Sequence, residues 1–161
     1  MALRWLLCAA LVAMASACRC RLPTFPNCET QTAILVKVQS YEVVPCPDSD
    51  GVNDYALAKV ELAAVYKQAD GLCLNVGDTI LIRTAVQGAT CGYPMEVGTT
   101  YLLFPTIVHN PRCDALETAT NLQVSSCDGN IPSPAKATVL EFEKACGNTS
   151  EPGCKCVCES R

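Results

Sequence analysis

Cysteine is the residue type through which this sequence can do the most chemistry. Thirteen are present in 161 residues, two of them one residue apart in Cys18-Arg19-Cys20 and three more in Cys154-Lys155-Cys156-Val157-Cys158. Thiols at such density form disulfides, hold a soft metal or act as nucleophiles. The other reactive groups are sparse. His109, in "HNPRC", is the single histidine, so no His-rich metal site can be built, and neither a G-x-S-x-G nor an HExxH string occurs. Asp48, Asp50 and Asp54 in "DSDGVND" crowd three carboxylates together but lack the glutamate that completes a calcium loop, and an acidic turn accounts for them. The chain is therefore expected not to be an enzyme and to have no cofactor of its own.

The position of Cys18 follows from what precedes it. Arg4 is followed by an apolar run from Trp5 to Met14 and then by Ala15-Ser16-Ala17, an A-x-A cleavage signal. The run is shorter than the roughly 20 apolar residues that a membrane-spanning helix needs. Residues 1–17 thus read as a signal peptide, and Cys18 as the first mature residue of a secreted, extracellular protein. Cleavage would remove Cys8 and leave an even 12 cysteines, as an oxidising compartment favours. It would also remove Arg4, leaving 11 basic against 16 acidic residues, a net charge of about −5. Such a chain is poorly suited to nucleic acid or to an anionic membrane.

These cysteines need a frame. In "AILVKV" (33–38), Ile34, Val36 and Val38 share one face, and in "DYALAKVELAAVY" the same holds for Ala56, Ala58, Val60 and Leu62. Both alternations predict strands. Three more follow in "DTILIRTA" from Asp78, "TTYLLFPTIV" from Thr99 and "TNLQVSS" from Thr120, two of them fed by Gly-Asp (77–78) and Gly-Thr (98–99) turns. Ala135, Val139, Phe142 and Cys146 then form a helical stripe, with Ser133 as the expected N-cap, Pro134 at the first helical position and Gly147 as the stop. The pattern is mostly β with a C-terminal helix. It suggests a disulfide-stabilised, five-stranded Greek-key barrel of the oligonucleotide/oligosaccharide-binding (OB) type. The expected divisions are the signal peptide (1–17), one barrel domain (18–147) and a short Cys-rich tail (148–161).

An ordered set of motifs resembles the N-terminal, netrin-like domain of the tissue inhibitors of metalloproteinases. It runs from Cys18-Arg19-Cys20 and Cys28 through Tyr55–Lys67 and Thr90-Cys91-Gly92-Tyr93. It closes with Leu122-Gln123-Val124-Ser125-Ser126-Cys127 and Cys146. The resemblance covers residues 18–147 and implies the pairings Cys18–Cys91, Cys20–Cys127 and Cys28–Cys146. Composition and spacing alone leave the pairing open, since six cysteines admit 15 arrangements. Cys46, Cys73, Cys113, Cys154, Cys156 and Cys158 lie outside that framework. Three further bridges fit them better than a thiolate metal cluster in a secreted chain.

The resemblance also implies a role for the opening residues. In that family the free α-amine and the carbonyl oxygen of the first cysteine chelate the catalytic zinc of the target protease, at the coordination position otherwise held by water. Carried over, Cys18 is the zinc-contacting residue through its backbone and Arg19 the specificity residue. Cys20, Ala89, Thr90 and Cys91 complete the contacts in the substrate cleft. The implied partner is a zinc metalloproteinase, which contributes the zinc, and the inhibitor acts as a monomer. Position 19 is usually Thr or Ser in the family. Here a long cation would enter an apolar pocket, which is expensive without an acidic partner. Either the target's pocket is unusual, or Arg19 abolishes inhibition of ordinary matrix metalloproteinases. The alternative reading is a non-inhibitory extracellular netrin-like binding module, in which Cys18 and Cys20 serve only as disulfide ends. Asn148-Thr149-Ser150 is an N-glycosylation acceptor at Asn148.

Overall fold

The computed structural model describes residues 20, 22–26, 28–45, 55–70, 72–86, 91–108 and 121–146. Seven strands and one helix are defined: β1 (Ala33–Val44), β2 (Tyr55–Lys67), β3 (Thr79–Ala85), β4 (Thr100–Leu103), β5 (Thr106–Ile107), β6 (Leu122–Gln123), β7 (Ile131–Pro132) and α1 (Lys136–Cys146). They form one sheet in the order β5-β6-β3-β2-β1-β4-β7. β4 lies beside β1, whereas β5, which begins three residues after β4 ends, lies beside β6. The single bent segment 100–107 therefore joins the two sides of the sheet and curls it into a barrel-like wall. All five expected strands are present, and β3 pairs with β6 in parallel while the other ladders are antiparallel.

β1 reaches both neighbours because it is bent. Register shifts occur at Ala33/Ile34, Leu35/Val36 and Val38/Ser40, and such bulges increase local twist. The strand runs six residues beyond the stretch whose alternation predicts it. Past Val38 its residues are mostly exposed, and the apolar-in, polar-out signal fades. The Pro105 ring cannot donate a ladder hydrogen bond, so the long strand expected from Thr99 breaks into β4 and β5. The two glycine turns are as expected. Gly77 and Gly98 have φ of 90° and 84°, and closing bonds run from Asp78 N to Asn75 O and from Thr99 N to Glu96 O, both 3.1 Å.

The apolar side chains divide between two clusters. Ile34, Val36, Val38, Ala58, Val60, Leu62, Ile82, Tyr101, Leu103, Leu122 and Val124 fill the barrel interior. Ala33, Tyr66, Leu102, Phe104 and Phe142 form a second layer beneath α1. Phe142 is its hub, with ring centroids 5.5 Å from Phe104, 5.9 Å from Tyr66 and 6.2 Å from Phe25. Val139, Phe142 and Cys146 face this layer as the helical stripe predicts, whereas Ala135 is exposed.

The helix starts later than expected, and Ser133 is not its N-cap. Ile131-Pro132 pairs with β4, and Ser133 N donates to Thr100 O at 2.7 Å, so residue 133 belongs to the sheet edge. The first helical hydrogen bond runs from Val139 N to Ala135 O, which gives Ala135 the capping position. No helix among the described residues is long and apolar enough to cross a membrane.

Because three aromatic rings converge on Phe142, its truncation should leave a cavity that neither α1 nor β4 can collapse into. Phe142→Ala is expected to cost about 3–5 kcal/mol. Urea unfolding of the disulfide-intact protein would measure this loss.

Candidate functional site

Two disulfides pin the N-terminal segment to the end of the domain. Cys20 bridges Cys127 and Cys28 bridges Cys146, with Cα–Cα distances of 5.7 and 5.1 Å. These are two of the three pairings that the resemblance implies. The third, Cys18–Cys91, has Cys18 outside the described residues, but Cys91 is disulfide-bonded, as is Cys73. The bridges span 107 and 118 residues. For loops of this length the chain-entropy model gives about 5 kcal/mol for one bridge, and because the two loops overlap, the contributions do not add.

Cys127 owes its position to the loop 125–130. The Asp128 carboxylate accepts hydrogen bonds from Ser125 N (2.5 Å) and Ser125 Oγ (3.1 Å), while Ser125 Oγ accepts from Cys127 N (3.1 Å). Asn130 Nδ2 donates to Ser125 O at 2.8 Å, and Asn130 Oδ1 accepts from Phe104 N at 2.9 Å, which fastens the loop to the end of β4. Gly129 has φ of 75°, and a Cβ there would lie 2.9 Å from Pro23 Cγ, so the N-terminal segment packs directly on this turn. Burial pushes the Asp128 carboxyl above its ordinary value, and the two Ser125 hydrogen bonds only partly offset that shift.

The segment at Cys91 meets the same loop. Ser126 N donates to Cys91 O at 2.9 Å, so the residues flanking both Cys91 and Cys20 converge on Ser126-Cys127. Cys91 has φ of 45°, a left-handed conformation uncommon for a side chain with a Cβ. Its neighbour Gly92 is jammed against the end of β3. A Cβ at 92 would fall inside the carbonyl oxygen of Ala85, 2.9 Å from Ala85 C and 3.0 Å from Val86 C. Tyr93 N then donates to Thr84 Oγ1 at 2.7 Å, and the Tyr93 ring meets Tyr101 edge-on at 5.9 Å. Burial, reinforced by Tyr101, pushes the Tyr93 phenol up to about 12, so it stays neutral and acts as packing.

The arrangement brings together Cys20 and Cys91 of the residues expected to contact a protease. Cys18, Arg19, Ala89 and Thr90 lie outside the described residues, as do Asn148, His109, the Asp48–Asp54 cluster and the remaining unassigned cysteines apart from Cys73. A cleft of about 440 Å³ lies beside the Cys20–Cys127 bridge, with Pro23, Glu29, Thr106, Cys127 and Asp128 among its walls. Sequence reasoning gave no role to Ser125, Asp128 or Asn130. The Asp128-Gly129-Asn130 run is nevertheless a turn signal of the kind that could have marked the loop.

Two outcomes are expected. Gly92→Ala must push residues 91–93 off β3, at a cost of about 1–3 kcal/mol. The change should appear as a lower urea midpoint and faster hydrogen exchange at the Tyr93 amide. The raised Asp128 pKa means that its contribution to stability is fully present below 3.8, the ordinary value, and lost as pH rises through the raised one. Thermal melts compared with Asp128→Asn should therefore shift in favour of the wild type as pH falls from neutrality towards 3.8. No protein-family model matches this chain, and no curated protein matches it.

Proposed function

We propose that this chain is a secreted inhibitor of zinc metalloproteinases, of the type its sequence resembles, acting as a non-catalytic monomer. The observation that supports the reading best is the convergence of Cys20 and Cys91 on Ser126-Cys127. The two segments that would form the wedge share one rigid support. An N-terminal segment held by bridges to Cys127 and Cys146 loses little conformational entropy on docking.

In this reading the chemistry resides in the backbone of Cys18. A free α-amine and the carbonyl of the same residue close a five-membered chelate ring on the zinc of the protease and displace its water. The amine must be unprotonated to donate. Its reference pKa of about 7.7–8.0 makes proton competition small near neutral pH, and metal binding drives the proton off. Arg19, the next residue, would enter the adjacent specificity pocket. A guanidinium there favours a target with a carboxylate at that pocket, because an unpaired buried cation is costly.

N-terminal sequencing of the secreted protein should begin at Cys18. Placing one Ala before Cys18 converts the amine to an amide. It should raise inhibition constants against a panel of purified metalloproteinases at least about 100-fold, roughly 3 kcal/mol. Arg19→Thr should broaden the set of enzymes inhibited. Equal potency with and without the added Ala would sink the proposal in favour of a non-inhibitory binding module.

A further inference from the structure

Strand β5 ends the sheet order on one side, and among the described residues no strand pairs with its outer edge. Thr106 is exposed and Ile107 half-buried, so that edge is open to solvent. The ladder to β6 fixes which backbone groups it presents. Ile107 stands opposite Leu122, and Val108 N donates to Asn121 O at 2.8 Å, which makes Ile107 and Leu122 a non-hydrogen-bonded antiparallel pair. The N–H and C=O of Ile107 therefore point away from β6. A backbone donor and acceptor on an open sheet edge are a template for one more strand.

Space for such a strand exists beside β5. Ile107 walls a cleft of about 450 Å³ together with Lys67 and Asp70, and Thr106 walls the 440 Å³ cleft together with Glu29 and Asp128. Gln31 lines both, so the two join into one trough along β5. Each volume lies in the range of about 300–1,000 Å³ that ligand sites occupy, and filling it displaces none of the walls. The walls carry the carboxylates of Glu29, Asp70 and Asp128 against a single cation, Lys67, whose ammonium already donates to Cys28 O at 3.1 Å. Burial raises the Asp128 pKa despite its hydrogen bonds to Ser125, so a positive charge seated nearby would stabilise its ionised form.

We propose that this trough binds an extended, basic segment of a partner protein. The segment adds to the sheet by pairing its backbone with Ile107, and it sets a lysine or arginine side chain in the cleft walled by Glu29 and Asp128. Main-chain pairing fixes the direction of the bound chain, and the carboxylates select its side chains. The chain's own segments 46–54, 87–90, 109–120 and 147–161 carry no net positive charge, which favours a second protein as the source. The inference is independent of the protease reading, because the trough needs neither the Cys18 amine nor a zinc ion.

The test is an NMR titration of the disulfide-intact full chain with the capped peptide KVKVK at low salt. The Ile107 amide should shift to saturation and exchange its hydrogen more slowly, while the acidic peptide EVEVE should leave it unmoved. Glu29→Gln should weaken binding about 3-fold, and Glu29→Gln combined with Asp128→Asn about 10-fold. Should the double variant fail to fold, a KVKVK peptide with N-methylated amides, which cannot pair with a sheet edge, decides without any change to the protein: it should not bind. The proposal is overturned by an unmoved Ile107 amide at millimolar KVKVK, or by equal binding of KVKVK and EVEVE. Equal binding of the N-methylated peptide also overturns it, as does binding seen only in Arg21→Ser, which would make the chain's own arginine the occupant.

Discussion

The segment 100–107 is the constraint on which the barrel depends, because residues 101–105 are buried on both faces while its two ends pair with different parts of the sheet. Tyr101 and Leu103 point into the interior while Leu102 and Phe104 lie beneath α1. Its first half closes onto β1 and its second half onto β6. A strand with no solvent face loses the polar alternation of a surface strand and reads as the continuous run "TYLLF". Pro105 supplies the bend, since it cannot take part in a ladder as a donor.

That strand also anchors the candidate site. Tyr101 accepts a hydrogen bond from Glu96 N through its hydroxyl, Thr100 O accepts from Ser133 N, and Phe104 N donates to Asn130. The loop holding Cys127 is therefore tied to the core by a backbone amide at the end of β4, and Cys91 is tied to that loop through Ser126. The segments carrying Cys91 and Cys127 are thus held by hydrogen bonds that lead back to the buried Phe104. The disulfides add to this by removing freedom from the unfolded chain, whereas the hydrogen bonds fix where the cysteines stand in the folded one.

Much of this architecture was legible in advance because it rests on period-two alternation. Ile34, Val36 and Val38, and Ala58, Val60 and Leu62, are buried as their spacing requires. The helix stripe was legible through Val139, Phe142 and Cys146, but not its start, because pairing of Ile131-Pro132 with β4 overrides the local capping signal at Ser133. Long-range pairing likewise hid β7, two residues with no pattern of their own. Cys20–Cys127 and Cys28–Cys146 came from resemblance, since periodicity cannot choose among pairings. Arg83 was invisible as a buried residue: in "TILIRTA" it occupies the polar phase of an alternating strand, where solvent is the ordinary expectation.

The long reach of the two bridges has a consequence for biosynthesis. Cys20 cannot meet its partner until 107 further residues have been made, and Cys28 must wait for 118. At translation rates of about 5–20 residues per second, that delay is roughly 5–20 s. During it both thiols are exposed to each other and to every cysteine emerging after them. Oxidative maturation of the tip is therefore a late event, completed only after the last helix has emerged. A nascent chain released before Cys127 and Cys146 would carry an N-terminal segment with no native cross-link to hold it.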